Sequence, residues 1–471
     1  MSDQATLAPE PLAAADAPSA LWRQEFRATM LLASPMILTN LTGTLIHATD
    51  VFLLGKLGPE ALAAGAIGSN FVMSITIFGM GLVTAASPLM AAAIGRRSNA
   101  VRDVRRTFQQ ACLAALCFAI PVWILLWNAE SLFLALGQEP AIAASAGLFV
   151  RALQWGMLPF LLYLICRSFI GALERPIWSL VIGVIAVLFN AVINYGLILG
   201  NFGLPQLGVL GAGIGSALTQ AMMFGGMVLV LMRHRLFRRF RLFHGIGRPD
   251  WERFRDVVRL GWPISLQMGF EATVFALAIL MMGWIGSAEV AAYAIALQLC
   301  AITFMVPLGV AQATTVRVGI GYGRKDHAMI HRAGWTGAAI CIGFMACMAG
   351  VLWGFPTSLM SLFIDPELPG SARVIAIGVG FLGLAALFQI FDGAQVIGAG
   401  MLRGLQDTTW PMLFALVSYW IVCIGTGYVF AFELGMKGDG IWVGFVVGLA
   451  MAAVLMLGRW QIRARLNLLP K

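Results

Sequence analysis

Three carboxylates, Asp50, Glu271 and Asp392, each stand in the middle of a long apolar stretch that contains no basic residue: TNLTGTLIHATDVFLLG, PISLQMGFEATVFALAILMMGW and GVGFLGLAALFQIFDGAQVIGAG. A carboxylate at the centre of a bilayer costs roughly 2.5–3.5 kcal/mol on insertion scales, so its default meaning is an ion or substrate pathway. The chemistry open to such a group is reversible neutralisation by a proton or a small cation, because burial disfavours the charged form. A fourth apolar stretch, SLVIGVIAVLFNAVINYGLILG, places Asn190 and Asn194 four apart on one helical face, and Ser216 lies in the segment GAGIGSALTQ that follows. With Asp50 these would form a cage of hard oxygen donors suited to sodium. The alternative, that the Asn pair only hydrogen-bonds neighbouring helices, stays open at this stage. His47, three residues before Asp50, offers a hydrogen bond or a second titrating group on the same helix face.

The elements that must position these residues are membrane helices. Hydrophobic residues make up 60% of the chain and charged ones only 11%, with a mean hydropathy of +0.86, whereas a soluble domain carries about 25% charged residues. Twelve apolar spans are predicted, near 27–55, 61–94, 107–128, 143–166, 176–200, 209–232, 257–285, 290–321, 333–355, 372–402, 410–433 and 440–460. The expected fold is an all-α polytopic membrane protein. Residues 1–26 read as a disordered cytoplasmic tail, since they lack a basic stretch followed by an apolar core.

All but four of the 31 Lys and Arg fall in the tail, the even-to-odd loops and the C-terminus. The exceptions are Lys56, Arg151, Arg373 and Lys437, and the positive-inside rule then puts both termini in the cytoplasm. The net charge of +9 therefore belongs to membrane topology, and no nucleic-acid partner is expected. The seven Cys show no CxxC spacing and imply neither a disulfide framework nor a metal cluster. No Walker-type phosphate loop occurs, which argues against ATP hydrolysis.

Sliding the chain 228 residues along itself brings Pro35 onto Pro263, Gly55 onto Gly283, Gly81 onto Gly309, and Gly95-Arg96-Arg97 onto Gly323-Arg324-Lys325. The chain thus divides into an N-lobe (27–232), a basic cytoplasmic linker (233–256), a C-lobe (257–465) and a C-terminus (466–471). Each half starts and ends on the same side, so the two six-helix bundles have parallel topology and relate by a pseudo-two-fold axis along the membrane normal. The acids do not follow the repeat, for the shift carries Asp50 onto Ala278 and Glu271 onto Gly43. Two separate charged centres are expected, Asp50 in one lobe and Glu271 with Asp392 in the other.

At this point the chain resembles the multidrug and toxic compound extrusion (MATE) family, in its NorM-like bacterial branch. The resemblance rests on Pro35 followed by Asp50-Val51-Phe52-Leu53-Leu54-Gly55, Pro88 with Gly95, Asn190 and Asn194, Glu271, and Phe388-Gln389-Ile390-Phe391-Asp392 leading to Arg403-Gly404-Leu405-Gln406-Asp407-Thr408. It implies export of cationic or amphipathic organic compounds across the bacterial inner membrane in exchange for Na+ or H+. It also implies a cation site at Asp50, Asn190 and Asn194 and a second at Glu271 and Asp392. Phe388 stands where some NorM-like members carry a Tyr beside the second site. No cofactor is implied beyond the coupling ion, and a monomer among membrane lipids is expected.

Neutralising a buried acid removes its need for polar partners, and Pro35, which lacks a backbone donor, gives the first helix a place to bend. Two rivals remain at the sequence level. A flippase for lipid-linked precursors would want basic residues deep in the spans, and the sequence places none there. An intramembrane aspartyl protease would want a membrane Gly-x-Gly-Asp, which is missing, since Lys437-Gly438-Asp439-Gly440 falls in a loop.

Overall fold

The computed structural model describes residues 18–245, 247, 249–367 and 370–470. Twelve helices long and apolar enough to cross a membrane run through it: α1 Ser19–Gly55, α2 Pro59–Arg96, α3 Ala100–Trp127, α4 Pro140–Ala172, α5 Ile177–Leu199, α6 Gly208–Arg233, α7 Trp251–Ile285, α8 Ser287–Arg324, α9 His327–Gly354, α10 Ser371–Gly404, α11 Thr409–Glu433 and α12 Gly438–Gln461. Local signals set their ends. Pro59 and Pro140 open α2 and α4, where a missing N–H costs nothing. Asp250 and Asp326 cap α7 and α9 by accepting from the backbone N–H of Arg253 and Met329. Pro88 withholds a donor from the carbonyl of Thr84, and α2 breaks there, at Ala85.

The expected span count holds, while two boundaries move. Residues 19–26, assigned to the tail, are already helical, and residues 1–17 lie outside the described residues. The reason is tertiary: Glu25 is 5% exposed and ion-paired to Arg317 of α8, and Trp22 meets the ring of His331 of α9. Likewise α7 starts at Trp251, so residues 251–256 belong to a helix and not to the linker. Both extensions are charged, which lowers their hydropathy while leaving their helicity intact.

In the first bundle α1 packs on α5, α2 on α4, and α6 on α4 and α5; in the second α10 packs on α8, α9 and α12. The bundles meet where α2 lies along α7 and where α1 and α2 lie along α8. Here the repeat becomes visible as geometry. A Cβ on Gly81 would overlap the backbone of Ser265, and a Cβ on Gly309 would overlap Ile37. Those two contacts are related by the same 228-residue shift. So are a second pair, Gly95 against the carbonyl of Ile320 and Gly323 against that of Ala92. Matched contacts of this kind are what a two-fold interface produces.

Both chain ends of an even-numbered bundle lie at one face, here termed the terminal face. The hydrogen bonds between lobes found among the described residues lie between mid-membrane and that face. Ser265 Oγ donates to the carbonyl of Phe78 at 2.6 Å, Arg167 Nη2 donates to Gln312 Oε1 at 2.7 Å, and Arg317 bridges Glu25 and Glu174 at 2.7 and 2.5 Å. The first stretch of linker is also tied down, with Gln109 donating to the carbonyls of Leu242 and His244. At the linker's end, the Arg106 guanidinium beside Asp250 holds its carboxyl below the usual carboxylate range.

The three-residue ion pair at the terminal face can be tested by stability. Arg317→Ala leaves Glu25 buried without a partner, an arrangement that costs about 3–5 kcal/mol. A clearly lowered thermal midpoint of the detergent-purified protein is expected, with recovery in the double variant Glu25→Gln, Arg317→Met. An unchanged midpoint in Arg317→Ala would mean that the bridge does not hold the lobes.

Candidate functional site

Asp50, Asn190, Asn194 and Ser216, drawn from α1, α5 and α6, converge on one point. Asn190 Nδ2 and Asn194 Nδ2 donate to Asp50 Oδ1 at 3.0 and 2.6 Å, and Ser216 Oγ donates to Oδ2 at 2.8 Å. The i, i+4 spacing of the two Asn on α5 presents both amides to the same acceptor. Both Asn are fully buried, whereas Asp50 is half-buried. The two amide oxygens are turned away from the carboxylate and have no hydrogen-bond partner. Close packing imposes this arrangement. Gly211 and Gly213 let α6 press against the carbonyls of Leu197 and Phe149, and Gly215 leaves just enough room for Asn194 Oδ1. The Gly-x-Gly-x-Gly run thus seats the site without contacting the acid. His47 is exposed and makes no hydrogen bond to Asp50, though it lies within electrostatic range.

The second centre is built differently. Asp392 on α10 is 5% exposed, and its Oδ1 has no hydrogen-bond partner; Glu271 on α7 is half-buried and lies within electrostatic range of it. Phe388, one turn before Asp392, is buried among rings, edge-on to Trp442 at 5.6 Å and to Phe275 at 6.2 Å between centroids. Its position makes this side of the centre an apolar wall of rings. Sequence reasoning missed Tyr419 of α11. It lines one crevice with Glu271, Val274, Phe275, Phe445 and Leu449. It is one of only six Tyr in the chain, two of which, Tyr419 and Tyr428, stand in this largely apolar span. That is the signal that could have found it.

Pro35 lies inside the unbroken α1 and sits at the lobe seam, one residue from Met36, whose carbonyl accepts from Arg167, and two from Ile37, which faces Gly309. A family profile described as MatE matches residues 35–196 and again 263–429, more than half of the chain. The chain belongs to the MatE family. The two matched blocks begin at Pro35 and Pro263, the pair that also opens the internal repeat. Over 454 residues the chain is 50% identical to a "Probable multidrug resistance protein NorM" of Mesorhizobium japonicum, covering 96% of this chain and 97% of that one. It is 45% identical over 440 residues to a protein of the same name from Brucella suis, covering 93% of each. Its fold is similar to a solved structure described as the outward-facing conformation of a multidrug resistance MATE family transporter, with a TM-score of 0.83 at 20% identity, covering 93% of this chain and 96% of that one. A eukaryotic MATE transporter gives a TM-score of 0.82 at 20% identity, covering 95% and 100%. Proteins of the MatE family are transporters and not enzymes, which removes the protease alternative.

The sequence places no basic residue deep in a span, yet near the helix ends of this MatE fold Arg167, Arg317 and Arg403 turn into the bundle. Arg167 bonds Asn40 and Gln312, Arg317 bonds Glu25 and Glu174, and Arg403 donates to Gln267 Oε1 at 3.1 Å and lies within electrostatic range of Glu271. Each lies within about two turns of a helix end; Arg167 and Arg403 fall just outside the expected spans and Arg317 near the end of one, while the long side chains reach back into the bundle.

Gly215→Ala tests the seating of Asn194. The added methyl overlaps Asn194 Oδ1, and overpacking of this kind costs roughly 1–3 kcal/mol. A lowered thermal midpoint is expected for Gly215→Ala and none for Gly225→Ala on the same helix, where nothing lies within 4 Å. Equal midpoints for the two variants would rule out the tight packing described.

Proposed function

We propose that this protein is a secondary active multidrug efflux antiporter that exports cationic or amphipathic organic compounds in exchange for Na+ or H+. The observation that carries the reading is the Asp50 carboxylate, held inside a membrane bundle by three neutral donors and no cation. Relatives named as multidrug resistance proteins, similar along nearly the whole chain, support the substrate class. The bias of Lys and Arg supports an inner-membrane orientation with both termini cytoplasmic, so that the terminal face is the cytoplasmic one. The protein works as a monomer among membrane lipids.

Neutralisation of Asp50 has a defined local consequence. With Na+ or a proton on the carboxylate, an amide that now donates to it does better by turning its unpartnered oxygen inward, to coordinate the metal or accept from the O–H. That turn loosens α5 against α1, and α1 carries Pro35 at the lobe seam. Alternating access then amounts to exchanging the cytoplasmic-side contacts, Ser265 to Phe78 and Arg167 to Gln312, for contacts nearer the other face. Glu271 and Asp392 form the second coupling site.

A flippase for lipid-linked precursors fits less well despite the inward arginines. Arg167 is engaged by Asn40 and Gln312, and Arg403 by Gln267, so the two do not form an open pair for pyrophosphate oxygens.

The test is efflux of ethidium from proteoliposomes under an imposed sodium gradient and, separately, an imposed pH gradient. One of the two gradients should drive export by the native protein, and Asp50→Asn and Asp392→Asn should each lower the driven rate by an order of magnitude or more, as expected when a charge-neutralisation step worth several kcal/mol is removed. If both variants kept gradient-driven export, coupling through these acids would be wrong.

A further inference from the structure

The second centre lacks something that the first has. Asp50 accepts three hydrogen bonds, whereas Glu271 and Asp392 make none among the described residues. The wall at Phe388 is hydrocarbon, closed by Trp442, Phe275 and Phe445. Lining one crevice with Glu271 is Tyr419, 1% exposed, whose hydroxyl has no hydrogen-bond partner. It lies within electrostatic range of Glu271, Asp392 and Arg403 together.

A buried hydroxyl without a partner is a cost that phenylalanine would avoid at equal volume. The backbone nevertheless goes out of its way to hold it. Leu416–Cys423, with Tyr419 at its centre, winds as a π-helix, as does Val429–Glu433 further along α11. Such wide turns are rare and re-aim the side chains they carry. Packing alone explains neither the hydroxyl nor the turn.

We propose that Tyr419 is a specificity-determining residue of the second coupling site, its hydroxyl oxygen serving with the carboxylates of Glu271 and Asp392 as a ligand for the entering ion. The assignment rests on the antiporter reading given above. It puts the hydroxyl on the α11 side of the crevice, whereas Phe388 on α10 offers none. A hydroxyl is a neutral oxygen ligand for Na+ and, where the ion is a proton, an acceptor for the protonated carboxyl. In either case the tyrosine remains protonated and no covalent bond to it forms or breaks.

The experiment compares Tyr419→Phe with Glu271→Gln in the full-length protein. Ethidium export is measured against Na+ concentration and against pH, and thermal midpoints are recorded with and without NaCl. For Tyr419→Phe the expected result is a midpoint equal to or above that of the native protein. The half-saturating ion concentration should rise roughly tenfold or more, the effect of losing one bond to a charged group, with the rate restored at saturating ion. A merely structural tyrosine predicts an unchanged ion dependence, and that result overturns the proposal whether the midpoint falls or not. If Glu271→Gln abolishes ion dependence while Tyr419→Phe leaves it intact, only the assignment of Tyr419 falls. If both variants match the native protein, the second coupling site itself is refuted and the proposal with it. Should Tyr419→Phe prove too unstable to transport, loss of the NaCl-induced rise in midpoint supports the assignment and its retention overturns it.

Discussion

A charge withdrawn from water must be compensated by something fixed, and in this protein that requirement organises the interior. At Asp50 the compensation is complete: three donors from two neighbouring helices hold both carboxylate oxygens. The glycines of α6 exist in service of that arrangement, since any side chain at Gly215 would displace Asn194. Charge-assisted bonds of this sort are stronger than neutral ones, so the first bundle is rigid about its acid. At Glu271 compensation is partial and comes at a distance, from Arg403, while Asp392 lies within range of the like charge of Glu271. The second bundle therefore carries the larger unrelieved cost.

This division runs against the symmetry of the backbone. The glycine contacts across the seam obey the repeat residue for residue, whereas neither acidic centre has a counterpart in the other lobe. Duplication supplied the scaffold, and the two halves then took on separate chemistry. One lobe presents a caged acid with polar partners, and the other presents a pair of acids among rings of Phe275, Phe388, Trp442 and Phe445.

Much of this was legible in the sequence. Hydropathy located twelve spans, the positions of Gly and Pro gave the repeat, and acids in apolar stretches marked both centres, because each signal depends on residues close in the chain or on a fixed offset. The meeting of Asp50 with Asn190, Asn194 and Ser216 was also anticipated, since polar groups in lipid have few partners to choose from. What escaped depends on contacts that no window of sequence contains. Residues 19–26 look like a polar tail until Arg317 is placed against Glu25. Arg167 and Arg403 look like loop residues until their side chains are seen to reach inward. Tyr419 comes within electrostatic range of the acids from a π-helical turn, a backbone shape with no sequence signature of its own.

The seam between the lobes has a mechanical character of its own. Interlocked leucines would act like gear teeth, and each step of relative motion would have to lift one row over the next. Gly81, Gly95, Gly309 and Gly323 instead bring backbone against backbone on bare surfaces. Such a joint resists separation through the close contact of its two halves. Because those contacts come in two-fold pairs, the load is shared evenly on either side of the pivot. The asymmetric chemistry of the two lobes thus sits on a symmetric joint.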